Sequence, residues 1–258
     1  MIWGENLITE ERHQLIVAEL KQKGAVRVAD LVEKFNISES TIRRDLVQLE
    51  ALNYLKRVHG GAVLVQNKFV EKSYNDKSNQ FVTEKDLIAQ YAASLVQEGD
   101  SIYLDSGTTT YEMIKYLKDK EIVVVTNGLS HVESLIENNI SCFVLGGKVK
   151  QKTKAVVGYE AISALGRYRF DKCFMGSNGV HSLHGFTTPD PEEAMIKENA
   201  IKASNDVFVL VDETKFGEVS FTRFAEISEA TIITTSNEDL SQYQDKTLVK
   251  VVRKWFIQ

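Results

Sequence analysis

The clearest candidates for chemistry are short polar stretches that follow apolar runs in the second part of the chain. Residues 105–110 (DSGTTT) place a carboxylate, a glycine and four hydroxyls directly after the run SIYL. Hydroxyls and backbone N–H groups at the start of a helix favour an anion. An ordinary helix cap after a strand accounts for the same residues, so both interpretations stay open.

Other polar residues follow other apolar runs in the same way. Asn127 comes after IVVVT, Gly147 and Lys150 come after CFVLG, and Lys215 comes after VFVLV. Ligands of mostly parallel sheets bind beyond the carboxyl ends of the strands, so these residues are predicted to share one side of a sheet. Each of them also fits a plain turn or a solvated lysine.

Two pairs of reactive residue types are predicted to form no site. His181 and His184 lie in a glycine-rich loop without a third ligand at a recognisable spacing, so we expect no metal ion. Cys142 and Cys173 lie within apolar runs and lack CxxC spacing, which predicts buried free thiols and no disulfide. Nothing in the sequence calls for a cofactor.

A different kind of site is indicated in residues 36–50 (NISESTIRRDLVQLE). Ser38 is a good N-cap, and Ile42, Leu46 and Leu49 form an apolar stripe that must face inward. A shorter helix at 29–35 precedes it. Two helices joined by a tight turn are typical of the helix-turn-helix, whose second helix enters the DNA major groove. The outward residues that could contact DNA are Ser38, Ser40, Thr41, Arg43 and Arg44.

The next residues favour the same interpretation. Residues 55–62 (LKRVHGGA) alternate apolar and basic residues and contain a Gly-Gly turn, which predicts a two-stranded wing. Such a wing would bring Lys56, Arg57 and His59 to DNA phosphates, which fix register without reading sequence. The alternative is that the helix arginines are solvated and paired locally with a neighbouring carboxylate.

The elements that must position these residues form two predicted domains. Residues 7–65 predict the winged helix-turn-helix, and the polar stretch 66–80 predicts a linker. In 81–258, apolar runs alternate with helical patterns, which predicts an α/β fold with a mostly parallel sheet. Residues 1–65 carry nine basic and nine acidic residues, so the formal net charge of −5 belongs to the remainder. DNA contact must then come from a local patch.

Composition limits the class of protein. The chain has 258 residues, 43% of them hydrophobic, which is typical of a globular protein with a substantial core. No run of about 18 apolar residues could span a bilayer. The start MIWGEN has neither the basic nor the apolar region of a signal peptide. We therefore expect a cytoplasmic protein without membrane contact.

The first part of the chain resembles the winged helix-turn-helix of the DeoR-family bacterial transcription regulators. The motifs S-x-x-T-I-R-R-D-L and V-H-G-G-A carry this resemblance, and both stand here within residues 38–62. In that family the helix that carries Thr41, Arg43 and Arg44 is the recognition helix. The resemblance implies operator DNA as a partner, and only the first six residues fall outside it.

The second part is similar to the DeoR effector domain, whose fold is similar to ribose-5-phosphate isomerase and related sugar-phosphate enzymes. The pieces DSGTTT, VTNG, LGG, MGSNGV, HGFTTPDPEEA and DETKFG stand in the family's order. The resemblance implies a phosphorylated sugar as effector. Its phosphate would be held by Ser106, Gly107, Thr108 and Thr109, and the rest of the ligand by Asp105, Asn127, Gly147, Lys150 and Lys215.

This sequence departs from the family at one position of that site. Many members have an arginine shortly after the Gly-Gly pair, where this chain has Lys148 and Lys150. Lysine offers a point charge in place of the planar fork of arginine.

Two alternatives compete with a DNA-binding regulator. A sugar-phosphate isomerase would need a positioned base, but residues 175–180 (MGSNGV) carry no carboxylate where the isomerases have an acidic segment. A sensor that acts through a protein partner would leave the exposed arginines without a role. We therefore expect a non-enzymatic repressor of a sugar-metabolism operon, a homo-oligomer whose recognition helices meet half-sites roughly 34–36 Å apart.

Overall fold

The computed structural model of this chain describes residues 8–52, 54–64 and 71–253. The chain forms two compact units, Met1–Asn67 and Lys68–Gln258. Unit 1 is a small helical domain with a three-stranded sheet, and unit 2 is an α/β domain. The predicted fold class is confirmed. Within the described residues, no helix is both long enough and apolar enough to cross a membrane.

Unit 1 is built from three helices and a short antiparallel sheet. Its elements are α1 (Thr9–Lys23), β1 (Ala25–Arg27), α2 (Val28–Phe35), α3 (Glu39–Ala51), β2 (Leu55–Val58) and β3 (Gly61–Leu64). The wing contains β2 and β3 as predicted, but β1 adds a third strand in the order β1-β3-β2. Gly61 permits this pairing, because a Cβ there would lie 2.1 Å from the Val26 carbonyl oxygen.

The apolar stripe of α3 packs into the core of unit 1, as its helical spacing predicts. Ile42, Leu46 and Leu49 are at most 2% exposed and belong to one cluster with Ile16 and Leu20 of α1. Burying side chains of this size stabilises a fold by about 1.5–3 kcal/mol each. The opposite face of α3 is consequently left to solvent.

Unit 2 contains a seven-stranded parallel sheet in the order β15-β14-β12-β9-β4-β5-β6. Its strands are β4 (Ser101–Leu104), β5 (Val123–Thr126), β6 (Ser141–Val144), β9 (Phe170–Gly176), β12 (Ser204–Leu210), β14 (Thr231–Thr234) and β15 (Val249–Val251). Six of these coincide with the predicted apolar runs, and β15 was not predicted.

Unit 2 also contains helices, an antiparallel pair (β7-β8) and a three-stranded antiparallel sheet (β10-β11-β13). The helices are α4 (Tyr74–Ser78), α5 (Val82–Ser94), α6 (Thr108–Met113), α7 (Leu129–Glu137), α8 (Tyr159–Leu165), α9 (Pro191–Lys202) and α10 (Ser241–Gln244), with 3-10 turns at Ile114–Tyr116, Glu213–Lys215 and Ile227–Glu229. The remaining strands are β7 (Lys148–Lys150), β8 (Ala155–Val157), β10 (Gly179–His181), β11 (Gly185–Thr188) and β13 (Thr222–Ala225). One apolar cluster lies on each side of the sheet, which explains the buried strands.

Two sequence predictions need correction. Residues 71–80, part of the predicted 66–80 linker, belong to unit 2, where α4 begins with a capping box between Ser73 and Asp76. Polar composition suggested a linker, but the segment is ordered by polar contacts. Cys142 is only partly buried because β6 is an edge strand, whereas Cys173 is fully buried in β9.

Candidate functional site

The exposed start of α3 in unit 1 is the first candidate surface. Ser38 caps the helix, with its hydroxyl oxygen accepting from the Thr41 backbone N–H at 3.3 Å. The same oxygen lies 2.9 Å from the Thr41 hydroxyl and 3.0 Å from the Ser40 hydroxyl. This local network fixes the first turn of α3 and holds three hydroxyl groups together at the surface.

The two arginines of α3 differ in their partners. Arg43 is held by Glu39 one turn earlier, with contacts of 2.7 and 2.8 Å. Both side chains are exposed, so this ion pair contributes little stability. Arg44 is also exposed, and no residue of the described chain pairs with its guanidinium. Arg43 is therefore paired with a neighbouring carboxylate, as one alternative predicted. The five N–H donors of the Arg44 guanidinium have no partner among the described residues.

A buried ion pair sets the position of α3, and the sequence pattern did not reveal it. Asp45 is 2% exposed and accepts from Arg12 of α1, at 2.5 Å from Nε and 2.8 Å from the terminal nitrogen. The Asp45 hydrogen bond raises the pKa of Arg12, against the effect of burial. His13 approaches the same carboxylate at 3.2 Å. The partners lie more than 30 residues apart, which is why the local pattern gave no signal.

The wing presents its basic residues to solvent. Lys56, Arg57 and His59 are all exposed. Arg57 is paired with Glu50, which accepts from its Nε at 2.6 Å and from its backbone N–H at 2.8 Å. Those hydrogen bonds lower the pKa of Glu50. Within the described residues, the side chains of Lys56 and His59 form no ion pair or side-chain hydrogen bond.

In unit 2 the predicted anion loop, residues 105–110, lies at the carboxyl end of β4. Asp105 is 3% exposed, and it accepts from Lys197 of α9 and from the Gly176 N–H at 3.2 Å. Lys197 also donates to the Gly176 carbonyl at 3.0 Å. The sequence analysis missed Lys197 because a lone lysine on a helix carries no local signal. This pair joins the ends of β4 and β9.

Asn127 shapes the loop from the neighbouring strand. Its side-chain oxygen accepts from the Tyr103 hydroxyl at 2.9 Å and from the Ser106 N–H at 3.1 Å. Its amide nitrogen donates to the Val156 carbonyl at 3.2 Å. Asn127 therefore positions the loop, and all the contacts that the structure shows for its side chain are internal.

The base of the loop rests on a buried histidine. Thr110 donates to the Asp105 carbonyl at 2.6 Å and lies 3.2 Å from His131 Nε2. Burial lowers the pKa of His131 to about 3, so its ring is neutral at pH 7. We assign the Nε2–H tautomer, since the Thr110 proton is already donated. His131 Nδ1 lies beside Gly128, where a Cβ would be 2.4 Å away.

Three hydroxyls of the loop form no hydrogen bond within the described part of the chain. No residue in the described ranges hydrogen-bonds the side-chain hydroxyls of Ser106, Thr108 or Thr109. Thr108 and Thr109 are each 8% exposed and begin α6 after Gly107. These are the open polar groups of the predicted phosphate loop.

The lysines near this loop have unequal surroundings. Lys150 is 13% exposed and contacts Glu71 at 2.9 Å, Asp190 at 2.8 Å and Glu193 at 2.7 Å. Burial opposes its charge, but the three carboxylates outweigh that effect and raise the pKa of Lys150. The predicted ligand contact of Lys150 is therefore occupied by acidic side chains. The neighbouring Lys148 pairs with Glu192 at 2.8 Å.

Lys85 of α5 is a second lysine that the sequence analysis missed. It is 5% exposed and donates to the Lys77 backbone carbonyl. Burial lowers the pKa of Lys85 to about 8, partly offset by the charge of Asp212 and strengthened by that of Lys215. Lys215 lies 3.6 Å from Asp212 and 3.0 Å from the Thr214 hydroxyl. Two amines thus approach the same end of the sheet.

Two further predicted features have a purely structural account. Gly147 has φ 151°, and a Cβ there would lie 2.6 Å from the Val157 carbonyl oxygen, so a glycine is needed for this close approach. His181 and His184 have ring centroids 4.7 Å apart. Within the described ranges, no group of three or more metal-ligating side chains is assembled.

Comparison with known proteins gives consistent results for both units. A DeoR-like helix-turn-helix domain model matches residues 12–68, and a DeoR C terminal sensor domain model matches residues 80–237. The uncharacterized HTH-type transcriptional regulator FruR of Bacillus subtilis (strain 168) is 51% identical over 96% of this chain and 100% of its own length.

More distant relatives are named as repressors. The lactose phosphotransferase system repressor of Staphylococcus epidermidis is 33% identical, over 90% of this chain and 94% of its own. The lactose phosphotransferase system repressor of Staphylococcus aureus is 32% identical, over 94% of this chain and 98% of its own length. Among solved structures, a ribose 5-phosphate isomerase from Methanocaldococcus jannaschii overlaps 52% of this chain and 54% of its own at TM-score 0.39 and 18% identity. That level of likeness supports no statement about activity.

Proposed function

Because this chain belongs to the DeoR family of transcriptional regulators, we propose that it represses a sugar-metabolism operon and that a phosphorylated sugar controls its binding to operator DNA. Unit 1 would bind the operator and unit 2 the sugar phosphate. The observation that carries the second assignment is the group of hydroxyls without a described partner at the carboxyl end of β4, together with the buried amine of Lys85 on α5.

For unit 1, we assign base reading to the outward face of α3 and phosphate contact to the wing. Arg44 is the main candidate for a bidentate contact with a guanine, because its guanidinium is exposed and its donors are available in the described structure. Ser40 and Thr41 support the first turn of α3. Lys56 and His59 of the wing would contact phosphates, which adds affinity without adding sequence preference.

For unit 2, we assign the phosphate to the hydroxyls of Ser106, Thr108 and Thr109 and to the amines of Lys85 and Lys215. Burial lowers the pKa of the Lys85 amine, and an anion bound beside it would stabilise the charged form and raise that pKa again. Asp105 and Asn127 hold the loop in shape, and the Asp105–Lys197 pair fixes its distance from α9.

The isomerase alternative finds no support in the site. At the end of β9, Ser177 donates to the Gly179 carbonyl at 2.7 Å, and Asn178 accepts from the Thr188 hydroxyl at 3.2 Å. Neither side chain can act as a base of suitable pKa. The relatives reported above are transcriptional regulators.

A repressor of this type is expected to act as a homo-oligomer. Two recognition helices on one assembly can meet half-sites about one helical turn apart, which multiplies operator affinity. This arrangement would also let a ligand in unit 2 act by changing how well both helices are presented.

A gel-shift titration tests the proposed function. The full-length protein is mixed with the DNA upstream of its own gene at fixed salt, and then with fructose 1-phosphate, tagatose phosphates, free fructose or inorganic phosphate. Release of the DNA by a phosphorylated sugar, and not by free fructose, is the expected result. The Thr108→Val variant should bind DNA like the wild type but release it only weakly when the sugar phosphate is added. Turnover of a sugar phosphate without any DNA shift would instead support the enzyme.

A further inference from the structure

Residues 71–80, which we name the strap, are attached to unit 2 beside the proposed anion site. The Tyr74 N–H donates to the Lys152 carbonyl at 2.8 Å. The rings of Tyr74 and Tyr111 pack edge to face with their centroids 6.4 Å apart, and the Lys154 amine lies 5.0 Å from the Tyr74 ring centroid. Helix α4 in the strap has only five residues, too few to be stable alone. The order of the strap therefore depends on these contacts.

The strap places a buried carboxylate in the site. Glu71 is 8% exposed, and its Oε2 accepts from Lys150 at 2.9 Å. Its Oε1 is buried and forms no hydrogen bond with any described residue, although the Lys77 amine lies 3.8 Å away. Burial raises the pKa of Glu71, and the nearby charge of Glu193 raises it further. Burying the Glu71 carboxylate costs free energy, which weakens the attachment of the strap to unit 2.

The strap also occupies the amine that we assign to the phosphate. Lys85 donates to the backbone carbonyl of Lys77, in the last turn of α4. Lys77 lies within the electrostatic reach of Glu71, Glu193 and Lys215. One end of the strap thus engages Lys150 and the other engages Lys85. Both are cationic groups of the same region.

We propose that the strap and the anionic ligand compete for Lys85, so that ligand binding releases residues 71–80 from unit 2. This inference rests on the proposed function, because the competitor is the phosphorylated sugar itself. A ligand with higher affinity for the strap-released state shifts the population toward that state. The ligand phosphate would take the Lys85 amine, and its negative charge would repel Glu71.

Release of the strap changes the connection between the two units. Residues 65–70 separate β3 from the docked strap, whereas residues 65–80 separate β3 from Phe81 when the strap is released. Extended chain spans about 3.4 Å per residue, so the maximal reach grows from about 20 Å to about 55 Å. A longer tether lowers the effective concentration of the second recognition helix at its half-site. The competition therefore explains how an occupied anion site weakens operator binding.

Hydrogen exchange and a strap variant test this inference in the full-length protein. In the wild type, a saturating sugar phosphate found by the gel-shift titration should increase amide exchange in residues 71–80, including the Tyr74 amide. Tyr74→Ala removes the ring contacts without changing charge in the site. Because the strap opposes the ligand, this variant should bind the sugar phosphate about 5-fold more tightly and the ligand-free operator correspondingly less tightly.

Asn75→Ala, on the exposed side of the same helix, is the matched control and should resemble the wild type in both affinities. Unchanged exchange of residues 71–80 with bound sugar phosphate would overturn the inference and leave the proposed function intact. Weaker ligand binding by Tyr74→Ala would also overturn it, because the strap would then be part of the ligand site. Failure of every sugar phosphate to bind the wild type would remove the proposed function and this inference with it.

Discussion

At the scale of single residues, neighbours decide what each charged side chain can do. Arg43 and Arg44 are adjacent and both exposed, but Glu39 pairs only with Arg43 in the described structure. Lys150, a predicted ligand residue, contacts acidic side chains, whereas Lys85, which was not predicted, is buried against a carbonyl oxygen. Residue type and spacing identify the region of a site. They do not identify the partners, which come from distant parts of the chain.

Arg44→Ala should reduce the discrimination between the operator and a site with one substituted guanine by about 1–3 kcal/mol, because a bidentate contact is lost. Arg43→Ala is the matched control, with a smaller expected effect, since Glu39 already occupies its guanidinium. Fluorescence anisotropy with both DNAs at fixed salt measures the difference. Equal discrimination by Arg44→Ala and the wild type would refute the assignment of base reading to Arg44.

Sugar-phosphate affinity should fall as the pH rises through about 8. Burial lowers the pKa of Lys85 from its usual value to about 8, so the free protein loses this positive charge above that pH. The ligand requires the charged amine, and its phosphate stays doubly charged in this range. The dissociation constant should increase about tenfold per pH unit above pH 8.

Calorimetric titrations between pH 7 and 9.5 measure this dependence. The Lys85→Met variant should bind the sugar phosphate weakly, with a dissociation constant that does not change with pH. The Lys215→Ala variant should also bind weakly, but its dissociation constant should still increase with pH. A flat profile in the wild type would exclude Lys85 from the phosphate site.

At the scale of elements, local periodicity predicted helix α3 and six strands of the large sheet correctly. The Ser38 cap and the Ile42, Leu46 and Leu49 stripe are local features, and the structure confirms them. Strand β1 was missed because three residues are too short for a pattern. The strap was read as a linker because its order comes from Tyr74 and Glu71 contacts with remote residues. Elements held by long-range polar contacts have no signature in a single sequence.

The Asp45–Arg12 pair should be essential for the stability of unit 1. Asp45→Ala leaves the Arg12 guanidinium buried without its carboxylate, which is expected to cost about 3–5 kcal/mol. Glu39→Ala breaks an exposed pair on the same helix and should cost below about 1 kcal/mol. Calorimetric unfolding of the full-length protein, in which the units can unfold separately, measures both. A loss below 1 kcal/mol for Asp45→Ala would contradict the positioning role of this pair.

At the scale of the whole molecule, the two proposed binding surfaces lie on different units of one chain. The exposed face of α3 belongs to unit 1, and the proposed anion site at the strand ends belongs to unit 2. Sequence resemblance predicted both surfaces and the order of the units. The coupling that we propose between them was not predictable, because it depends on how the strap docks beside Lys85 and Lys150.

The most direct test of this coupling is its reciprocity. Operator affinity is measured with and without saturating sugar phosphate, and sugar-phosphate affinity is measured with and without saturating operator, both in the full-length protein at one salt concentration. Linkage requires that the two ligands weaken each other by the same factor, which we expect to lie between about 5 and 150. A sugar phosphate that binds unit 2 and leaves operator affinity unchanged would contradict the account.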